Sequence, residues 1–169
     1  MPVIEKFMGK QVEIPEDRRY STRQGLWGKK ADGAIRFGLS GPALVLCGGI
    51  KDIDFLVPDG SRVAAGDAVA FAITGKILYI EAPVSGTVEL NTPLADGPES
   101  IAADPYTGGW LFGIRPPEGT DEGYQALASA EEYLESLRGS EGFKNPEGLK
   151  GGVSGMCKAV YSGIGEQKI

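Results

Sequence analysis

Between Lys51 and Lys144 the chain has a single lysine, Lys76, placed where two β-rich runs, AFAI and ILYIEA, meet across Thr74 and Gly75. A lysine at a tight hairpin tip has two possible uses. It can be an acylation target, held clear of the fold so that another enzyme reaches its amine, or it can be a solvated turn residue, the state of most surface lysines. Gly75-Lys76 suits a two-residue type II′ turn, with glycine at the first central position and lysine exposed at the second. The other reactive side chains narrow the chemistry. There is no histidine in the 169 residues, which removes the commonest general base and metal ligand and excludes Ser-His-Asp, Cys-His and zinc-hydrolase catalysis. Cys47 and Cys157 are far apart and form no CxxC pair, so neither a disulfide framework nor a cysteine metal site is indicated. Cys47 ends the apolar run ALVLC and reads as core. A glycosidase-like carboxylate pair cannot be read from spacing alone.

Composition sets the limits around that lysine. The chain is long enough for one domain with a hydrophobic core and too short for two large ones. Its 26 glycines and 11 prolines imply many turns, which favours short strands over long helices. The net charge of −6 argues against phosphate-driven binding of nucleic acid, because such binding needs clustered Lys and Arg. No run approaches the roughly 18 apolar residues of a membrane span, and the first residues contain no apolar signal core, so no membrane contact and a cytoplasmic location are expected.

The elements that must position Lys76 follow from pattern. Residues 1–19 are mixed and polar and read as a loose arm with one strand at most. LWGKKADGAIRFGL predicts a hairpin turning at Ala31-Asp32-Gly33, with Ile35 and Phe37 alternating inward. Ser40 as N-cap, Pro42 in the first turn, ALVLC as apolar face and Gly48-Gly49 as stop predict a short buried helix. DIDFLV, RVAAGDAVAFAI, ILYIEA and TVEL then read as short strands, with Val69, Phe71 and Ile73 as period-2 apolar positions. VPDGSRVAAGDAV and APVSGTVELNTPL echo one another as proline, turn, strand, turn, consistent with two halves related by a pseudo-two-fold. PESIAADP can hold a turn or two of helix, and GGWLFGIRP reads as a last strand ended by Pro116. A capping box of Ser129 and Glu132 opens a helix whose Leu134 and Leu137 face one side, with Gly139 as stop. Residues 139–169 are Gly-rich and weakly periodic.

Several of these stretches, in this order, resemble the glycine cleavage system H protein family. The likeness runs from about Tyr20 to Leu137. RRYSTRQGLW is similar to the family's opening strand, GAIRFGLS to its next strand and helix, and IKDIDFLVPDGSRVAAGD to its central strands and glycine-acid turn. APVSG, ADPYTGGWLFGI and ASAEEYLESL look like its later signatures, of which DPYTGGWL is the most specific. The resemblance implies an all-β fold, a flattened barrel sandwich of the lipoyl/biotinyl type with short peripheral helices. It divides the chain into an arm (1–19), an H-protein-like lipoyl domain (20–138) and an extension (139–169).

The implied function is that of a non-catalytic carrier. A lipoyl group, amide-linked to Lys76 by a lipoate ligase or lipoyl transferase, would shuttle an aminomethyl intermediate among glycine decarboxylase, aminomethyltransferase and dihydrolipoamide dehydrogenase. A tethered arm gains effective concentration at each partner, and the cofactor rather than the protein holds the reactive dithiol. Three departures from the family pattern matter. Counted forward from Gly66-Asp67, Lys76 stands in the lipoyl-lysine slot, but counted back from Pro83 the slot falls on Gly75, so one residue is missing after the lysine. Ile73 stands where the family has a glutamate. Gln24, Gly25 and Leu26 precede Trp27 where the family has an acid-histidine-glutamate run, which removes polar groups that could hold a loaded arm. Two alternatives therefore stand beside the glycine-cleavage carrier: a carrier for another lipoate-dependent pathway, and an unlipoylated scaffold or interaction module. Biotin is disfavoured, because Gly75 and Ile77 stand where biotinyl domains have methionines. Cys157 is a candidate for thiol exchange with a lipoyl dithiol.

Overall fold

The computed structural model describes residues 3–117 and 122–140. Eleven short strands form three sheets. β1 (Val3–Phe7) and β2 (Lys10–Glu13) make a hairpin. A six-stranded sheet has the order β3-β4-β5-β11-β10-β7, built from β3 (Arg19–Ser21), β4 (Leu26–Ala31), β5 (Ala34–Leu39), β7 (Arg62–Val63), β10 (Gly86–Leu90) and β11 (Phe112–Arg115). A three-stranded sheet has the order β6-β8-β9, from β6 (Asp52–Phe55), β8 (Ala68–Ile73) and β9 (Ile77–Glu81). The helices are short: α1 (Gly41–Cys47), α2 (Glu99–Ala103), α3 (Glu122–Gln125) and α4 (Ala130–Ser136). This is the mostly-β sandwich with peripheral helices that the resemblance implied.

Local chemistry explains most boundaries. Asp32 and Gly33 both take positive φ (52° and 81°) between the paired Ala31 and Ala34, the two-residue turn whose twist matches the strands it joins. Ser40 Oγ accepts the Ala43 N–H at 3.3 Å to start α1, and Gly48 ends it in the left-handed region at φ 78°. At α4, Ser129 Oγ accepts the Glu132 N–H at 3.1 Å while Glu132 Oε1 accepts the Ser129 N–H at 2.8 Å, so the box satisfies two otherwise orphaned donors. Tyr133 then carries α4 into the core. Its ring stacks on Tyr20 at 4.8 Å and its hydroxyl shares a 2.6 Å hydrogen bond with Ser40, joining α4, β3 and the α1 cap in one buried contact.

Two expectations are corrected. The first residues are not a loose arm: Ile4, Phe7, Val12 and Ile14 are buried, and the Tyr106 hydroxyl donates to Glu13 O at 2.5 Å while accepting the Gly41 N–H at 2.7 Å. Burying Phe7 completely contributes about 2–3 kcal/mol of transfer free energy, enough to hold a short hairpin down. The period-2 row Val69, Phe71, Ile73 also does not keep to one face of β8, since Val69 is fully buried and the other two are not. A register shift between Ala68 and Ala70 inserts Val69 as an extra residue, and a bulge exchanges inside for outside beyond it. Ala70 and Ala72 are fully buried, whereas Phe71 and Ile73 are only half-buried on the outer face. The extension expected at 139–169 and its Cys157 lie outside the described residues from 141 onward.

Candidate functional site

The β8–β9 hairpin is fixed at its base and exposed at its tip. At the base, Gly66 N–H donates to Ala82 O at 2.9 Å and Ala82 N–H donates to Asp67 O at 2.8 Å. Ser85 Oγ accepts the Ala65 N–H at 2.9 Å, which ties the PVSG turn to the glycine-acid turn. On the outer edge of β9 the Gln24 side chain takes the place of a neighbouring strand. Its Nε2 donates to Glu81 O at 3.1 Å and its Oε1 accepts the Glu81 N–H at 2.8 Å, so one amide satisfies both backbone groups of an edge residue that would otherwise stay unpaired. Arg23 also pairs with the Glu81 carboxylate.

At the tip, Ile73 pairs with Ile77, and Thr74 N–H donates to Lys76 O at 2.8 Å. The apex is therefore Gly75 by itself, at φ 153° with open space around its α-carbon, and Lys76 stands beside it. This corrects the two-residue Gly75-Lys76 turn expected from the sequence. Such a turn needs Thr74 opposite Ile77, a slip that would turn Ile80, 2% exposed, outward with the rest of β9. Cross-strand burial sets the register, and glycine absorbs the sharp bend. Lys76 is exposed, as a carrier lysine must be. Ile73 and Ile77 flank it on the two strands, so the position of the family's glutamate is occupied by one half of an apolar pair.

The residues standing in place of the acid-histidine-glutamate run are structural here. Gln24 is spent on Glu81, Leu26 is fully buried, and Gly25, at φ 73°, leaves no room for a side chain against the Ala43 β-carbon. Cys47 is buried near the end of α1, and burial pushes its thiol up to about 11, so it is inert at neutral pH. A groove of about 760 Å³ between β2, α1 and α2 is bordered by Lys10, Glu13, Val45, Asp104 and Tyr106. The Asp104 carboxyl sits below its usual range because it accepts from the Thr107 hydroxyl and the Gly108 N–H. Burial pushes the Tyr106 hydroxyl up to about 12, and both of its hydrogen bonds hold elements together. Among the described residues no group of three His, Cys, Asp or Glu side chains could hold a metal ion, and no helix is long and apolar enough to cross a membrane.

Residues 18–140 match the family described as glycine cleavage H-protein. The glycine cleavage system H protein of Anaeromyxobacter sp. (strain K) is 37% identical over 125 residues, covering 72% of this chain and 94% of its own. That of Enterobacter sp. (strain 638) is 38% identical over 127 residues, covering 73% and 95%. The crystal structure of a glycine cleavage system H protein from Mycobacterium marinum superposes with a TM-score of 0.61 at 31% identity, over 72% of this chain and 97% of that one.

Proposed function

Because this chain belongs to the glycine cleavage H-protein family, we propose that it is a lipoyl carrier whose arm is attached at Lys76 and whose partners are glycine decarboxylase, aminomethyltransferase and dihydrolipoamide dehydrogenase. Proteins of this family are non-catalytic components of the glycine cleavage system and carry covalently attached lipoate. The single observation that supports Lys76 as the site is a hairpin pinned at Ala82 and Glu81 whose exposed tip holds one lysine. A rigid base lets the tip present an amine to a ligase without local unfolding, and a long arm then reaches several partners in turn. Acylation joins the Lys76 Nζ to the lipoyl carboxyl as an amide, with the activated carboxyl's leaving group departing and one amine proton passing to solvent. The lipoyl dithiolane supplies the sulfur and redox chemistry, and the chain supplies only position. Displacing the lysine by one residue from the apex moves its α-carbon by about 3.4 Å along the strand, less than the length of an extended lysine side chain.

Intact mass tests this reading. Protein made in cells that supply lipoate and an active ligase gains the mass of one lipoyl group, and Lys76→Ala abolishes the gain. An unmodified wild-type chain under those conditions refutes the carrier and leaves an H-protein-like scaffold, for which the Gly75 apex is the supporting feature. A second reading concerns the cargo. Since Gln24 is committed to Glu81 and Leu26 is buried, no polar group at those positions stabilises an aminomethyl-loaded arm, which favours another lipoate-dependent pathway. Loading of the lipoylated protein by glycine and glycine decarboxylase decides between the two.

A further inference from the structure

The outward face of the β6-β8-β9 sheet is unusually apolar for a surface. Its registers align two rows across the three strands: Asp54, Phe71 and Tyr79, then Asp52, Ile73 and Ile77. Tyr79 is 59% exposed and Ile77 52%. The Phe71 and Tyr79 rings lean on one another at 6.2 Å with planes 59° apart, while Phe71 and Ile73 remain half-buried. Among the described residues four large hydrophobic side chains are exposed, and three of them, Leu56, Ile77 and Tyr79, belong to this sheet or follow directly from its β6 strand. Scattered exposed apolar residues need no explanation, but a contiguous set beside a modification site does. The core does not require them, because its side of β8 and β9 is filled by Ala70, Ala72 and Ile80.

The rim says what fits. Asp52 and Asp54 are exposed along one border, and each carboxylate accepts only a backbone N–H, from Ile53 and Phe55 at 2.8 and 3.0 Å. Neither forms an ion pair among the described residues. At the opposite border Glu81 is already matched by Arg23. An anionic surface is repelled by such a rim. A second copy would bring like charge to like charge, with a net −6 on each chain. A partner with Lys or Arg beside an apolar patch is attracted on both counts.

We propose that this face, Phe71, Ile73, Ile77 and Tyr79 bordered by Asp52 and Asp54, is the docking surface for an enzyme of the lipoate-dependent system that presents an apolar patch edged by basic side chains. The inference rests on the carrier reading for the identity of that enzyme, but the contact needs no lipoyl group. Docking beside Lys76 brings the tip to the mouth of the partner's site, so the surface sets which enzyme receives the arm.

The test uses the full chain, lipoylated and unmodified, against glycine decarboxylase, aminomethyltransferase and dihydrolipoamide dehydrogenase from the same genome, each immobilised in turn. Tyr79→Ala and Ile77→Ser should weaken binding to one of these enzymes by at least about tenfold in both forms, with thermal stability unchanged in both and lipoyl mass unchanged in Tyr79→Ala. Asp52→Asn with Asp54→Asn should weaken binding about three- to tenfold at low salt and hardly at all in about 1 M salt, where the Debye length is near 3 Å. Equal affinities for wild type and the Tyr79 and Ile77 variants, no measurable binding by any of the three enzymes, or loss confined to self-association in sedimentation would each overturn the proposal. Failure of the carrier reading is seen separately, as a missing lipoyl mass with docking by the unmodified chain intact.

Discussion

Replacing Gln24 with methionine keeps the length and much of the packing of a side chain that is 6% exposed, while deleting both of its hydrogen bonds to Glu81. Each bond to a partly buried backbone group contributes about 1 kcal/mol, and the orphaned Glu81 N–H and C=O regain water only in part, so the loss should be about 2 kcal/mol. For the roughly 130 described residues, at roughly 2.1 cal/mol/K of unfolding entropy per residue, that lowers the melting temperature by about 7 °C. A local signature separates this role from general destabilisation. With its acceptor removed, the Glu81 amide should lose more protection than the roughly thirtyfold that about 2 kcal/mol of lost global stability takes from every slowly exchanging amide, since 1.4 kcal/mol is tenfold in an opening equilibrium. The amides of Gly113 and Ile114, in the six-stranded sheet, should change only as far as global stability does. Calorimetry and amide-resolved hydrogen exchange by NMR supply both readouts. A Gln24→Met variant with wild-type exchange at Glu81 would refute the idea that a side-chain amide closes the edge of β9. A uniform rise across all strands would refute it equally, by showing that Gln24 acts through packing alone.

Gly86→Ala should cost more than about 3 kcal/mol by urea titration, because its β-carbon would overlap the Arg115 carbonyl inside the β10–β11 pairing. Gly75→Ala, at nearly the same φ but in open space, should cost about 1 kcal/mol and leave the fold intact. Cys47, with its thiol pushed up to about 11 by burial, should resist an aromatic disulfide reagent at pH 8 in the folded Cys157→Ser variant and react at once in denaturant; prompt native reaction would show that α1 opens. Arg18, and after it Lys29, hold the Asp17 carboxyl at about 2 through hydrogen bonds of 2.9 Å each. A depressed carboxyl stabilises the folded state above the unfolded value near 3.9 and loses that contribution as pH falls through about 2. Asp17→Asn should therefore destabilise by under 1 kcal/mol at pH 7, the side chain being 56% exposed and screened, with the difference vanishing near pH 2 in urea midpoints.

What could be read from the residues was local chemistry. Asp32-Gly33, the Ser40 cap with Pro42, and the Ser129–Glu132 box each name their own backbone geometry within four residues. The resemblance carried by DPYTGGWL and PVSG supplied the architecture that local pattern only narrowed to a small sandwich or barrel. Three features escaped because their causes are not local. The β1–β2 turn uses Met8 at φ 54° before Gly9, and a methionine there is no turn signal. The bulge at Val69 reverses the inside of β8, so a correct period-2 pattern gave the wrong face. The role of Gln24 depends on Glu81, 57 residues away, and nothing in QGLW marks a glutamine that will stand in for a strand.

The hairpin shows why the bend falls on a single residue at the tip. A two-residue turn at Gly75-Lys76 requires β9 to slip against β8, which exposes Ile80 and turns the Tyr79 hydroxyl inward without a partner. Those changes cost about 2–3 kcal/mol for the isoleucine and a further 1–3 for the unsatisfied hydroxyl. Holding the register instead concentrates the bend on one residue, and because that residue is glycine the strain is about 1 kcal/mol. The strands therefore win and the turn yields. Lys76 stands beside the apex as a consequence of where Ile80 must be, and an enzyme that acylated it would have to accept a lysine framed by Gly75 and an isoleucine pair. The same packing that sets Lys76 beside the apex leaves Ile77 and Tyr79 facing water, so the tip and the apolar face beside it are two results of one register.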